Sequence, residues 1–176
     1  MPIQNYEEVS IYPLDPDVQE ELLLTQNECC FIWGPKDHWA VGVFMSYIWR
    51  HGRFWLTATS QRKRVAAIRR DDRVSVAVSS AGTHLGPART ATAKGRCILH
   101  DDEETASWVY PDIARAILGD QPELVEMFTQ MLDSERRLVF EVVPEKWITY
   151  DSTKLMSDSI TAWVEQKQAE AAEDGE

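Results

Sequence analysis

The sequence predicts a mainly β chain with peripheral helices, an α+β arrangement built on six antiparallel strands. Three observations carry this reading. Between Glu28 and Leu99 the apolar residues fall in short runs, each bounded by Gly, Pro, Asp or His-Gly turn signals. One run, Arg73 to Ser79, alternates Val74, Val76 and Val78 with Ser75, Ala77 and Ser79, the period-2 pattern of a strand with one buried face. Helical spacing is confined to the two ends, to a short piece at QRKRVAAIRR and to an insertion at residues 102–132.

Along the chain, Asp15 followed by Pro16 marks a helix start, and Val18 to Leu24 reads as a short helix in an N-terminal capping segment, residues 1–26. Cys29 to Trp33, Trp39 to Trp49 and Arg53 to Ala58 read as the first three strands, with His51-Gly52 as a hairpin turn because Gly accepts the positive φ such turns need. In QRKRVAAIRR, Val65 and Ile68 share one helical face, and Thr59 or Ser60 is placed to cap the first turn. Arg73 to Ser79 and Ala88 to Leu99 are strands four and five. The insertion is punctuated by Pro111, Gly119 and Pro122, which predicts two or three short helices with Val125, Phe128, Met131 and Leu132 on a core-facing side. Arg137 to Val143 is the sixth strand, stopped by Pro144 before Lys146 to Tyr150 continue as an extended edge. Residues 156–176 read as a helix capped by Ser157 or Asp158, with Ile160, Trp163 and Val164 on one side, and an acidic tail too poor in apolar residues to pack.

A chain of 176 residues suffices for one domain with its own core. Cys29, Cys30 and Cys97 are an odd set without zinc or CxxC spacing, which suits small buried hydrophobes in a reducing compartment. The opening MPIQNYEEVS lacks a basic patch followed by an apolar stretch, and no apolar run nears the roughly 18 residues of a membrane span. A cytoplasmic protein with no membrane partner is expected. The formal net charge of −11 speaks against nucleic acid. Its distribution is uneven: Arg53 to Arg96 holds ten of the 18 basic residues and only Asp71 and Asp72 of the 29 acidic ones. That local excess suggests either a solvated face or an anion site.

The segment FWLTATSQRKRVAAIRRDDRVSV, Phe54 to Val76, reads strand, tight connection, helix, strand. Hydroxyls and basic side chains at the first turn of a helix would gather free N–H groups, the positive end of the macrodipole and fixed cations around one spot. Thr59, Ser60, Arg62, Lys63 and Arg64 would converge there, with an Arg apt for bidentate contact and a Lys for a point charge on a phosphate. A basic solvated helix start is the alternative.

The strand Trp39–Tyr47 and the phrases TATSQRKRVAAIRRDDRVSV, ARTATAKGR and VFEVVPEKWITYD, taken together, resemble the pyridoxamine 5′-phosphate oxidase-like family of FMN-binding split barrels, which includes relatives that use the deazaflavin F420. The resemblance spans roughly Asn27 to Leu155 and departs from the family phrase in two places: Lys63-Arg64 exchanges an Arg-Lys pair, and Asp72 stands where Pro is usual. It implies a Greek-key split β-barrel over residues 27–155, with the cofactor FMN, or alternatively F420, bound at the interface of a homodimer. Lys63 and Arg64 would hold the cofactor phosphate, aided by Thr59 and Arg62. Thr57, Ala58 and Thr59 would lie beside the ring system, and the strand carrying Val43, Met45, Ser46 and Tyr47 would offer backbone groups to its polar edge. Arg89 and Thr90 would reach across the interface, although Thr90 replaces a longer amide.

The activity so implied is hydride transfer to or from a small substrate, with little demand for a catalytic triad. An F420-dependent reductase is the alternative, favoured by the extra cations Arg62, Arg69 and Arg70, and a non-catalytic flavin- or haem-binding module is a third reading. Pyridoxamine phosphate oxidation itself is disfavoured, because the acidic end Glu165 to Glu176 stands where an Arg-rich motif would be expected. His38, His51, His84 and His100 show no metal spacing; His84, in the loop Gly82 to Gly86, is placed to close over a ring, while Tyr47 and Tyr150 are candidate proton donors. Trp33, Trp39, Trp49 and Trp55 would line a pocket, an interface or the core.

Overall fold

The computed structural model describes residues 8–173. After a 3-10 turn at Val9–Ile11, its helices are α1 (Pro16–Thr25), α2 (Lys63–Ile68), α3 (Glu103–Leu118), α4 (Pro122–Leu132) and α5 (Ser152–Glu173). The strands are β1 (Glu28–Trp33), β2 (Val41–Ser46), β3 (Ile48–Arg50), β4 (Arg53–Thr59), β5 (Arg73–Ser79), β6 (Arg89–His100) and β7 (Arg137–Asp151). They form a single antiparallel sheet in the order β2-β1-β5-β6-β7-β4-β3.

The seventh strand arises because the expected strand Trp39 to Trp49 is divided at Tyr47. This residue is fully buried; its N–H donates to Asn27 O at 3.0 Å and its hydroxyl to Leu23 O at 3.1 Å. Tyr47 thus leaves the ladder to pin the corner after α1, and the chain changes sheet edge there. Because β2 and β3 flank this one residue yet occupy opposite edges, the sheet must curl until its edges approach. The result is a split barrel. Phe31, Phe54, Phe140 and Val76 fill its interior with Leu22 and Leu23 of α1.

Along β4 the side chains sort by parity. Phe54, Leu56 and Ala58 enter the barrel interior, whereas Trp55 packs on the outside with Val139 against Val109, Ile113 and Leu132 of α3 and α4. The 102–132 insertion is therefore a helical pair laid over this outer surface. Asp102 caps it by accepting the Thr105 N–H at 2.7 Å, and Pro111 lies inside α3 without ending it.

Several local expectations are corrected. Pro144 does not stop its strand: β7 runs 15 residues, and Pro144 lies at a bulge where Gly95 faces it and Lys94 faces Lys146, so its missing N–H interrupts no regular ladder. Gly95 is required there because a Cβ would strike the Val143 carbonyl. His51 (φ 55°) and Gly52 (φ 71°) make the expected hairpin turn with two consecutive positive-φ residues. The last helix starts at Ser152, directly from β7, rather than at Ser157 or Asp158, and continues to Glu173. The start of the capping segment, residues 1–7, and the end of the acidic tail, residues 174–176, lie outside the described residues.

Candidate functional site

At the C-terminal end of β4, Thr57 and Thr59 alternate with Ala58. Ala58 is buried in the interior core, so only its backbone is available to a ligand. Thr57 donates its hydroxyl to Leu138 O at 2.9 Å. Thr59 sits opposite Arg137, the first residue of β7, in the β4–β7 register.

The turn after Thr59 is tied down by the Ser60 N–H, which donates to Arg136 O at 2.7 Å, and by the Arg62 N–H, which donates to Thr59 O at 3.0 Å. Helix α2 follows with Arg62 as its N-cap and no side-chain capping bond, so neither Thr59 nor Ser60 plays the expected capping role. The helix is only six residues long, and two of the turn's amides are already spent. Attraction for an anion here rests on the side chains.

Those side chains are cationic and lack carboxylate partners. Among the described residues, Arg62, Lys63, Arg64, Arg136 and Arg137 form no ion pair; Arg136 donates only to Gln61 Oε1, at 3.0 Å, within the same turn. The Nε groups of Arg64 and Arg137 are both buried without a hydrogen-bond partner. Burial first, and the nearby charge of Arg62 second, pull the Arg64 guanidinium below its ordinary pKa. Unpartnered buried donors are destabilising on their own and attractive to an oxyanion. The donor set therefore fits a phosphate. Arg136 and Arg137 escaped the sequence reading because more than 70 residues separate them from the motif; only strand pairing joins them to it.

The other candidate positions stand differently. Val43 and Met45 turn their side chains toward the interior core. Their strand β2 is a sheet edge paired only with β1, which leaves backbone groups unpaired along its outer side. Ser46 is half-buried, pairing with Glu28. Tyr47 is no proton donor to a ligand: its hydroxyl is committed to Leu23 O, and burial pushes its pKa up. Arg89 is equally committed. Its Nε donates to Asp151 Oδ2 at 3.1 Å, one Nη to Leu85 O at 2.6 Å and the other to Thr153 Oγ1 at 3.3 Å, so it anchors β6, the 80–88 loop and α5 rather than reaching outward.

Thr90 lies on the opposite part of the sheet. With Thr92, Ala77, Cys30 and the exposed Phe44 it floors a groove of about 400 Å³. His84 is held by Glu21 at 2.8 Å, and His38 and His51 occupy positive-φ turns. His100 bridges Glu141, at 2.6 Å, and Asp102, at 3.5 Å, where α3 meets the sheet. Trp33 and Trp55 are buried and Trp49 packs against the core, whereas Trp39 is outside any strand and exposed. Cys29 and Cys97 are buried as expected; burial pushes the Cys97 thiol up to about 12. No group of acidic, His and Cys side chains capable of holding a metal ion occurs among the described residues, and no described helix is long and apolar enough to cross a membrane.

No family model matches the chain, and no curated protein matches it. Solved structures do. A conserved hypothetical protein of Mycobacterium tuberculosis superposes with a TM-score of 0.70 at 19% identity, over 81% of this chain and 88% of that one. A candidate pyridoxamine 5′-phosphate oxidase from Listeria innocua gives 0.58 at 15% identity, over 76% and 95%. An F420 reductase gives 0.56 at 18% identity, over 73% and 94%. The protein has the FMN-binding split-barrel fold.

Proposed function

We propose that this chain is an oxidoreductase that binds FMN through its phosphate at the Thr59–Arg64 turn, works as a homodimer with the cofactor at the subunit interface, and acts on a small-molecule substrate. The observation that carries the reading is the set of unpaired cations around Thr59, two of them with orphaned buried Nε groups. In a chain with 29 acidic residues, a cluster of cations left without carboxylates is suited to an external anion.

A bound flavin supplies the hydride chemistry. The chain's part is to hold and orient it: Arg64 and Lys63 neutralise the phosphate, Thr57 and Thr59 line the adjoining surface, and the free edge of β2 offers amides and carbonyls. The second subunit is supported by the uncovered sheet face on which Phe44 is 74% exposed and Ile148 56% exposed. Cross-strand pairing joins these two through Cys30, Ala77 and Thr92, a row with small centre and apolar ends. An apolar face of that kind is suited to burial against another copy, bringing Thr90 to the neighbouring site.

F420 is the second reading, favoured by the likeness to an F420 reductase and by exposed Arg69, which extends the cationic strip for a ligand with an acidic tail. Arg70 contributes less, because it donates to Gly34 O at 2.9 Å. Titrating apo-protein with FMN and with F420 by absorbance and fluorescence, beside light scattering at micromolar concentration, tests the proposal. Saturable FMN binding by a dimer is expected. F420 binding alone would replace the cofactor, and binding of neither would overturn the reading.

A further inference from the structure

Arg137 lies outside the strand-turn-helix motif that carries the family resemblance, yet it begins β7 directly opposite Thr59. Residues paired across antiparallel strands share one face of the sheet, with Cβ atoms roughly 4.5–5.5 Å apart. Two backbone bonds fix this placement. The Arg137 N–H donates to Ser134 O at 2.8 Å, closing the turn after α4, and the Ser60 N–H donates to Arg136 O at 2.7 Å, locking that turn to the one bearing Arg62 to Arg64.

The Arg137 Nε is buried and has no acceptor, and no carboxylate among the described residues comes within ion-pairing distance of its guanidinium. Arg64 across the turn shows the same defect. Native structures rarely leave a buried charged donor unmet, and two such donors on segments tied together by the Ser60–Arg136 backbone bond have a common remedy in one multivalent oxyanion. We infer that Arg137 is a direct ligand of the bound phosphate, so that the anion is clamped between α2 and the start of β7 rather than held by the motif alone. This rests on the phosphate-binding reading above and deepens it. The clamp also links ligand binding to the helical insertion, because Arg137 emerges from the turn that ends α4.

The test compares FMN with riboflavin, which lacks only the phosphate, on wild-type protein and on Arg137→Met, Arg137→Lys and Arg96→Met. Arg96 is a control cation held by Asp72 and Glu145 away from the turn. Arg137→Met is expected to weaken FMN binding by about tenfold to a hundredfold, the range for loss of one charged hydrogen-bond partner, and to leave riboflavin binding unchanged. Arg137→Lys should recover part of the loss, and Arg96→Met should bind FMN as wild type does. Inorganic phosphate should raise the melting temperature of the wild type but not of Arg137→Met. Unchanged FMN affinity in Arg137→Met, or equal losses for FMN and riboflavin, would overturn the assignment while leaving the cofactor reading intact. Failure of the wild type itself to bind FMN or respond to phosphate would remove both.

Discussion

Two groups of arginine contrast in this molecule. Arg53, Arg73, Arg89 and Arg96 each meet a carboxylate: Glu141, Asp71, Asp151, and the pair Asp72 and Glu145. Arg64 and Arg137 meet none, although their Nε atoms are shielded from water. With 29 acidic against 18 basic residues, carboxylates are in surplus, so unpaired cations do not reflect shortage. The first group spends its charge on the fold. The second, on the function proposed above, is held for an anion outside the chain, and the difference would separate cations that merely occur in a basic segment from those that form a site.

The largest effect should come from the first group. Arg89 and Asp151 keep 20% and 4% side-chain exposure, and Arg89 also holds Leu85 O and Thr153 Oγ1. Arg89→Met leaves a buried carboxylate without its counter-charge and should cost about 3–5 kcal/mol in urea denaturation. A loss below about 1 kcal/mol, the level of an exposed pair, would remove the distinction.

The same pair predicts the acid limb of stability. Burial by itself would raise the Asp151 pKa, but hydrogen bonds from Thr153 and Arg89 outweigh it and hold the carboxyl below its ordinary value. The unfolded carboxyl titrates near about 3.9, so this contribution is fully present above that pH and is lost as pH falls through the lower folded value. Asp151→Asn should therefore be less stable than wild type at neutral pH, with the gap narrowing below about pH 4. Parallel stability curves from pH 7 to pH 3 would show that Asp151 is not held in the ionised form by the fold.

The comparison also marks what a sequence can show. Alternation at Arg73–Ser79 and the His51-Gly52 turn were legible because both are local, and the connected phrases from TATSQRKRV to the last strand were enough to imply the split barrel. The division of the second strand at Tyr47 was not, since its cause is a bond to Leu23 O from a helix more than 20 residues earlier. Pro144 misled for a related reason: the bulge that accommodates it depends on Gly95 in another strand. At the proposed site, Lys63 and Arg64 were visible as a motif. Arg137 was invisible, and Arg89 looked available until its three donors were found to be committed.

The smallest effect sharpens the comparison most. Arg64→Met keeps the apolar stem that packs at the start of α2 while removing an unpartnered buried donor and a like charge beside Arg62. In the apo-protein it should leave stability unchanged or raise it by about 1 kcal/mol, the lower end of the cost of an unsatisfied buried polar group. With saturating FMN the order should reverse, because ligand stabilisation grows as RT ln(1 + [L]/Kd) and the variant has the larger Kd. Urea midpoints with and without FMN measure both halves. A crossover of this kind belongs to a residue that is a liability to the empty fold and an asset to the occupied one, whereas a loss above about 1 kcal/mol in the apo-protein would place Arg64 with Arg89, as a cation whose work is structural.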